Sequence, residues 1–66
     1  MNNVTDLRPI VNVTRQAERA GLGQNVRRAI VRAVMREQRA GRSGNAIAGD
    51  IFNARLRGGD YTPPAA

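Results

Sequence analysis

The sequence contains no cysteine, no histidine and no lysine, and its only aromatic residues are Phe52 and Tyr61. Without cysteine no disulfide can form, and without cysteine or histidine the common zinc sites are excluded. A core of Val, Ile and Leu in a chain of 66 residues is small enough to need a further source of stability. Association with another chain is the source that remains, so we expect a homo-oligomer.

The sequence also offers little for catalysis. We expect neither an enzyme nor a metal or cofactor site, because the acidic residues lack the paired spacing such sites require. No apolar run approaches the roughly 20 residues of a membrane span, and the N-terminus lacks the apolar stretch of a signal peptide. We expect a cytoplasmic protein, or one released as part of an assembled particle, with no membrane partner. The five scattered acidic residues are Asp6, Glu18, Glu37, Asp50 and Asp60.

What the sequence has in excess is arginine. Eleven arginines against five acidic residues give a formal net charge of +6 and an isoelectric point near 11.8. Such a balance favours a polyanion, nucleic acid above all, or an acidic protein surface as the partner. A guanidinium group binds phosphate or carboxylate through two hydrogen bonds, which gives the exclusive use of arginine a chemical reason. A GC-rich coding sequence is the alternative reason.

Glycines divide the chain into three amphipathic segments, which predict a compact all-α unit of three helices joined by short corners. The predicted helices cover residues 5–20, 24–40 and 44–57, with Thr5 or Asp6 capping the first and Ser43 the third. The sequences RAGLGQN and RAGRSGN, 20 residues apart, indicate two similar corners. We assign residues 1–59 to one small helical domain and residues 60–66 to a Pro-rich tail that we expect to be disordered in a monomer.

The second predicted helix carries the candidate binding surface. At 100° per residue, four arginines fall within one narrow arc of it, which we call the arginine face: Arg28, Arg32, Arg36 and Arg39. Arginines at this spacing suit contacts with successive phosphates, whereas an ordinary solvated face, partly offset by Glu37, is the alternative interpretation. The corner that follows adds Arg42 and Asn45 to the predicted nucleic-acid-binding residues. A secondary basic face on the first helix comprises Arg8, Arg15 and Arg19.

The apolar arc of the second helix is wider than one neighbouring helix needs, which is typical of a helix that is central in a bundle or pressed against another subunit. We therefore predict an oligomer interface on the second and third helices, made by Val31, Met35, Phe52 and Leu56. Proteins that bind single strands stack bases on aromatic side chains, and two aromatic residues, one of them expected in the core, are too few for that. Duplex DNA, or RNA bound through its backbone, fits better.

These features predict a small nucleic-acid-binding protein, a DNA-binding regulator or accessory factor of a phage or plasmid type. The alternative is a protein-interaction module, such as an inhibitor of a host protein or a minor component of a virion or other large assembly. A second fold also fits part of the pattern. RPIVNVT at residues 8–14 alternates well enough to be a strand, which would give a ribbon-helix-helix dimer that reads DNA with that strand.

Overall fold

The computed structural model describes residues 6–59 and 61–63, and this part of the chain is built from helices without a strand. The three helices are α1 (Leu7–Arg19), α2 (Gln24–Arg39) and α3 (Asn45–Leu56). The predicted all-α, three-helix fold is thus confirmed, with each boundary within two residues of its predicted position. In the described part, none of the helices has the length and apolarity needed to cross a bilayer.

Residues 8–14 lie within α1, so the alternative of an N-terminal strand is wrong. A strand would place Val11 and Val13 on the same side, but Val11 is 45% exposed and Val13 is buried. The buried positions are Pro9, Val13 and Ala17, at the spacing of one helical turn. The Asp6 side chain caps the helix by accepting a hydrogen bond from the Arg8 N–H at 3.0 Å. Pro9 lies in the first turn, where no intrahelical donor is lost. Thr5, the other candidate cap, lies outside the described residues.

The two related corner sequences end α1 and α2 with the same geometry. After α1, the N–H of Leu22 donates to the carbonyl oxygen of Ala17 at 3.0 Å, and after α2, the N–H of Arg42 donates to that of Glu37 at 2.8 Å. Between them Gly21 and Gly41 have φ values of 71° and 89°. This is the Schellman motif, in which a glycine in the left-handed region satisfies the last carbonyls of a helix.

The start of α3 differs from its predicted position. The cap is Gly44, with φ of 85°, instead of Ser43. The Ser43 hydroxyl still accepts a hydrogen bond from the Asn45 N–H at 3.1 Å. Gly44 is buried against α2, where a Cβ atom on it would lie 2.7 Å from Cγ1 of Val34. Because the chain passes this close to Val34, glycine is the residue that fits at the cap.

The core lies where α1 meets the other two helices. Every helix contributes to the core cluster with residues that are at most 5% exposed. These are Val13 and Ala17 of α1, Ile30, Ala33 and Val34 of α2, and Ile47 and Ile51 of α3. α1 packs against α2 and α3 more extensively than those two pack against each other, so α1 rather than α2 is the central helix. The Gln38 side-chain amide links α2 to the residues that precede α1 and α3. Its Nε2 atom donates to the Asp6 carbonyl at 2.9 Å and to the Ser43 carbonyl at 3.1 Å.

The C-terminal segment differs from its expected disorder where the structure describes it. Tyr61 is half-buried and packs against the core of its own chain. Burial, and then the negative charge of Asp50, raise the pKa of the Tyr61 phenol from its ordinary value of 10.0. A raised pKa means that the fold favours the neutral phenol. Stability from this group is therefore present below pH 10 and is lost as the pH rises through the raised pKa.

Replacing Tyr61 with Ala is expected to lower the free energy of unfolding by about 1 kcal/mol, since a half-buried ring contributes less than the roughly 1.5–3 kcal/mol of a fully buried large apolar side chain. Thermal melts followed by circular dichroism measure the loss. The exposed neighbour Thr62 provides the control, and Thr62→Ala is expected to melt with the parent chain. Equal melting of all three proteins would show that the packed ring contributes nothing.

Candidate nucleic-acid interface

Three ion pairs occur within residues 6–59 and 61–63, and none of them uses an arginine of the arginine face. The guanidinium of Arg8 lies 3.0 Å from the Asp6 carboxylate, that of Arg42 lies 2.8 Å from Glu37, and that of Arg27 lies 3.9 Å from Glu18. The first two are bidentate, with Nε and Nη2 both donating. Three of the five acidic residues are thus held by arginines outside the arginine face.

The two bidentate pairs also affect the carboxylates. The hydrogen bond from Arg8 lowers the pKa of Asp6, and the hydrogen bond from Arg42 lowers that of Glu37, with a further contribution from the nearby charge of Arg36. Both carboxylates are therefore ionised at neutral pH. Glu37, the residue expected to offset the arginine face, accepts two hydrogen bonds from Arg42 and also interacts with the charge of Arg36, so it offsets that face only in part.

The arginine face is open to solvent along α2. Arg28, Arg32 and Arg39 are exposed and Arg36 is half-buried, and none of the four forms an ion pair with another described residue. Arg28, Arg32 and Arg36 follow one another at four-residue intervals, about 6 Å apart along the helix axis. Four positive charges are therefore presented together, with no carboxylate bound to any of them in the described part.

A shallow groove of about 420 Å³ between α1 and α2 adjoins this face. Arg28 and Arg32 form part of its lining, together with Thr14, Gln24 and Val31. The groove provides the Gln24 amide beside two of the four arginines, whereas the Thr14 hydroxyl already donates to the Ile10 carbonyl at 2.8 Å. A side-chain amide, like arginine itself, commonly contacts phosphate oxygens in complexes with nucleic acid.

The other predicted binding residues do not join the arginine face. Arg42 is bound to Glu37 through Nε and Nη2 although its side chain is 64% exposed, so only its remaining N–H groups are open to a phosphate. Asn45 lines a different groove, between α1 and α3, together with Arg15 and Arg19. Arg8, the third member of the secondary basic face, is bound to Asp6. The basic residues are therefore divided between two surfaces.

Comparisons with protein-family models, curated proteins and solved structures found no match to this chain. Its function is therefore inferred from its own residues. Within residues 6–59 and 61–63, His, Cys, Asp and Glu form no group of three or more that could hold a metal ion. The features with a chemical rationale in this part of the chain are the arginine face and the two grooves beside α1.

Two of the four predicted oligomer residues line the grooves. Met35, Phe52 and Leu56 are 37%, 44% and 70% exposed, and Val31 is half-buried. Val31 lines the α1–α2 groove, whereas Phe52 lines the α1–α3 groove. Apolar side chains of α2 and α3 are therefore partly open to solvent, and self-association through them remains a prediction.

Sequence reasoning missed the α1–α3 groove as a site. Its polar lining combines Asn12 and Gln16 of α1 with Asn45 of α3, and no periodicity along one helix indicates which helix lies opposite. One signal was visible, however. Gly49 lies in the middle of a predicted helix, where glycine is unfavourable unless something requires it.

Proposed function

We propose that this chain binds nucleic acid through the phosphate backbone, with the arginine face of α2 as the contact surface. The observation that carries the proposal is the distribution of ion pairs. Asp6, Glu18 and Glu37 are bound by arginines elsewhere, while Arg28, Arg32, Arg36 and Arg39 form no ion pair with the described residues. Arginines without a carboxylate partner contact phosphate without first losing an internal ion pair.

Binding of this kind draws its free energy from counterion release. Each arginine that neutralises a phosphate frees condensed cations, whose dilution favours the complex, and the contact itself carries no sequence information. We therefore propose a sequence-tolerant binder of duplex nucleic acid. This activity suits a small regulator or accessory factor of a phage or plasmid type.

The exposed apolar surface beside the arginines supports a second candidate, a protein-interaction module for an acidic partner. Met35 is 37% exposed, and it lies on α2 four residues before Arg39. Val31, four residues before Met35, is half-buried. Buried apolar contacts surrounded by charged groups are typical of protein interfaces. An inhibitor of a host protein or a minor component of a virion or other large assembly would use such a surface.

Replacing Arg32 and Arg36 together with Gln is expected to weaken binding to duplex DNA and to reduce its dependence on salt. The slope of log K against log salt is about −0.9 for each phosphate contact on B-DNA, so the double variant should have a slope about two units shallower. Fluorescence anisotropy of a labelled duplex, titrated at several salt concentrations, measures both quantities. Two duplexes of unrelated sequence should give the same result.

The matched control replaces Arg55 and Arg57 with Gln. These arginines are exposed at the end of α3, and their loss changes the net charge by the same amount. The proposal requires the control to retain most of the parent slope. Equal loss in the two variants would show that only net charge matters, and absence of duplex binding at low salt would exclude the proposal. Capture of one acidic protein, abolished by the Arg32 and Arg36 changes, would then establish the second candidate.

A further inference from the structure

The groove between α1 and α3 has a composition that differs from that of the arginine face. It encloses about 490 Å³, and its lining includes Asn12, Arg15, Gln16 and Arg19 of α1. α3 contributes Asn45, Gly49 and Phe52 to the opposite wall. The groove therefore combines two cations, three side-chain amides and one aromatic ring, and no acidic residue is among the described residues that line it.

Phe52 is the apolar element of this groove. Its side chain is 44% exposed, so the ring is not part of the buried core although it is the largest apolar side chain of α3. An aromatic ring open to solvent provides a stacking surface for another planar group. Across the groove, Arg15 and Arg19 lie one turn apart on α1, and both are exposed.

Gly49 adds an observation that packing does not explain. It lies inside α3, three residues before Phe52 on the same wall. A glycine in the interior of a helix is unfavourable compared with alanine. A Cβ atom at this position would meet no atom within 4 Å, so no neighbouring residue requires the glycine. The glycine therefore leaves open space on the wall of the groove that also carries Phe52.

The amides supply hydrogen-bonding groups around that space. Asn12 and Asn45 are exposed on opposite walls, and each presents both donors and an acceptor. The Oε1 atom of Gln16 is buried without a hydrogen-bond partner in the described part of the chain. Rotation of the Gln16 amide would let this oxygen accept a hydrogen bond from a donor group of a ligand. Paired donors and acceptors of this kind match the edges of nucleobases.

We propose that the α1–α3 groove binds one unpaired nucleotide of a single-stranded nucleic acid. The base stacks on Phe52 in the space left by Gly49, and the amides of Asn12 and Asn45 contact its edge. The adjoining phosphate lies against Arg15 and Arg19. A single stacking residue accommodates a single base, so the groove adds a contact to an unpaired end, bulge or loop and is not a continuous single-strand platform. It lies apart from the arginine face, whose proposed ligand is the duplex backbone.

Phe52 is the only phenylalanine of the chain, which makes its ring protons a specific reporter in NMR spectra. Titration with a short single-stranded oligodeoxythymidine or oligouridine is expected to shift these signals upfield, because a stacked base places them in its ring current. Tripolyphosphate at equal charge is expected to leave them unchanged. The two oligonucleotides distinguish DNA from RNA as the source of the nucleotide, and stronger binding of either one supports the site.

Replacing Phe52 with Leu is expected to weaken single-strand binding at least about fivefold, the lower end of the range for losing one base–aromatic stack. Leu56→Ala removes an exposed apolar side chain one turn further along α3 and is expected to leave affinity unchanged. Gly49→Ala is expected to raise the melting temperature and at the same time to weaken binding of the oligonucleotide. Replacing Arg15 and Arg19 with Gln should weaken it more than replacing Arg55 and Arg57.

The outcomes separate this inference from the proposed function. Upfield Phe52 shifts without any duplex binding would leave the groove as a nucleotide site and exclude the arginine face. Duplex binding with Phe52 signals unmoved by both oligonucleotides would overturn the groove proposal alone. Equal shifts with tripolyphosphate would also overturn it, because they would show an anion effect without stacking. If Phe52→Leu lowers the melting temperature, the shifts in the parent chain and the Gly49→Ala result still decide the question.

Discussion

Replacing Ile51 with Ala is expected to lower the free energy of unfolding by about 2–5 kcal/mol. Ile51 has no exposed surface, and it belongs to the core cluster that joins α1, α2 and α3. The change removes three buried carbon atoms and leaves a cavity whose lining loses its dispersion contacts. At roughly 0.05–0.15 kcal/mol per residue, a domain of this size has little stability beyond that loss.

Urea unfolding followed by circular dichroism measures this effect. The midpoint should fall while the dependence on urea keeps its slope, which would show that stability changed and the extent of unfolding did not. Leu56→Ala is the matched control on the same helix, because Leu56 is 70% exposed, and a surface substitution of this kind is expected to stay within about 0.5 kcal/mol. A loss well below 1 kcal/mol for Ile51→Ala would show that Ile51 does not belong to the core.

The three helices were predictable because several local signals agree on them. Asp6 and Gly21 mark the ends of α1, and the buried residues Pro9, Val13 and Ala17 repeat at helical spacing between them. The strand alternative arose because Val11 and Val13 are β-branched. Tertiary packing decides against it, because Val13 is buried whereas Val11, which a strand would place on the same side, is 45% exposed.

The arginine face was predictable for the same reason, since one helix determines the relative directions of its own side chains. The contact of Arg42 with Glu37 was not predictable, because it depends on the way the chain turns at the left-handed Gly41 after α2. The position of Asn45 depends on α3 lying beside α1. Contacts between helices require the packing, which composition and periodicity do not specify. The packed position of Tyr61 was missed for that reason as well.

Phe52 has two predicted roles, one in an interface between two copies of the chain and one in the α1–α3 groove. The excess apolar arc of the second and third helices predicts an interface that includes Phe52. In the structure Phe52 faces a groove that also contains arginine and amide groups. This mixture suits a nucleotide better than it suits a second apolar helix, because an apolar partner would bury the arginines and amides without satisfying them.

Gly44 is the position where one added methyl group is expected to have the largest effect. Its φ of 85° lies in the left-handed region, which costs a residue other than glycine roughly 1–2 kcal/mol. A Cβ atom there would also lie 2.7 Å from Cγ1 and 3.3 Å from Cα of Val34. Because the Val34 backbone belongs to α2, rotation of the valine side chain relieves only part of the overlap. Overpacking of this kind costs a further ~1–3 kcal/mol.

Gly44→Ala is therefore expected to lose about 2–5 kcal/mol, the sum of backbone strain and overpacking. Gly41→Ala is the matched control, because Gly41 has a similar φ of 89° but no atom within 4 Å of an added Cβ. The difference between the two variants isolates the contact with Val34. A double-mutant cycle with Val34→Ala tests the assignment further, since removing Cγ1 should reduce the penalty at Gly44 and give a coupling of about 0.5–3 kcal/mol. Equal losses at Gly41 and Gly44, with no coupling to Val34, would mean that α3 does not start against α2 at this distance.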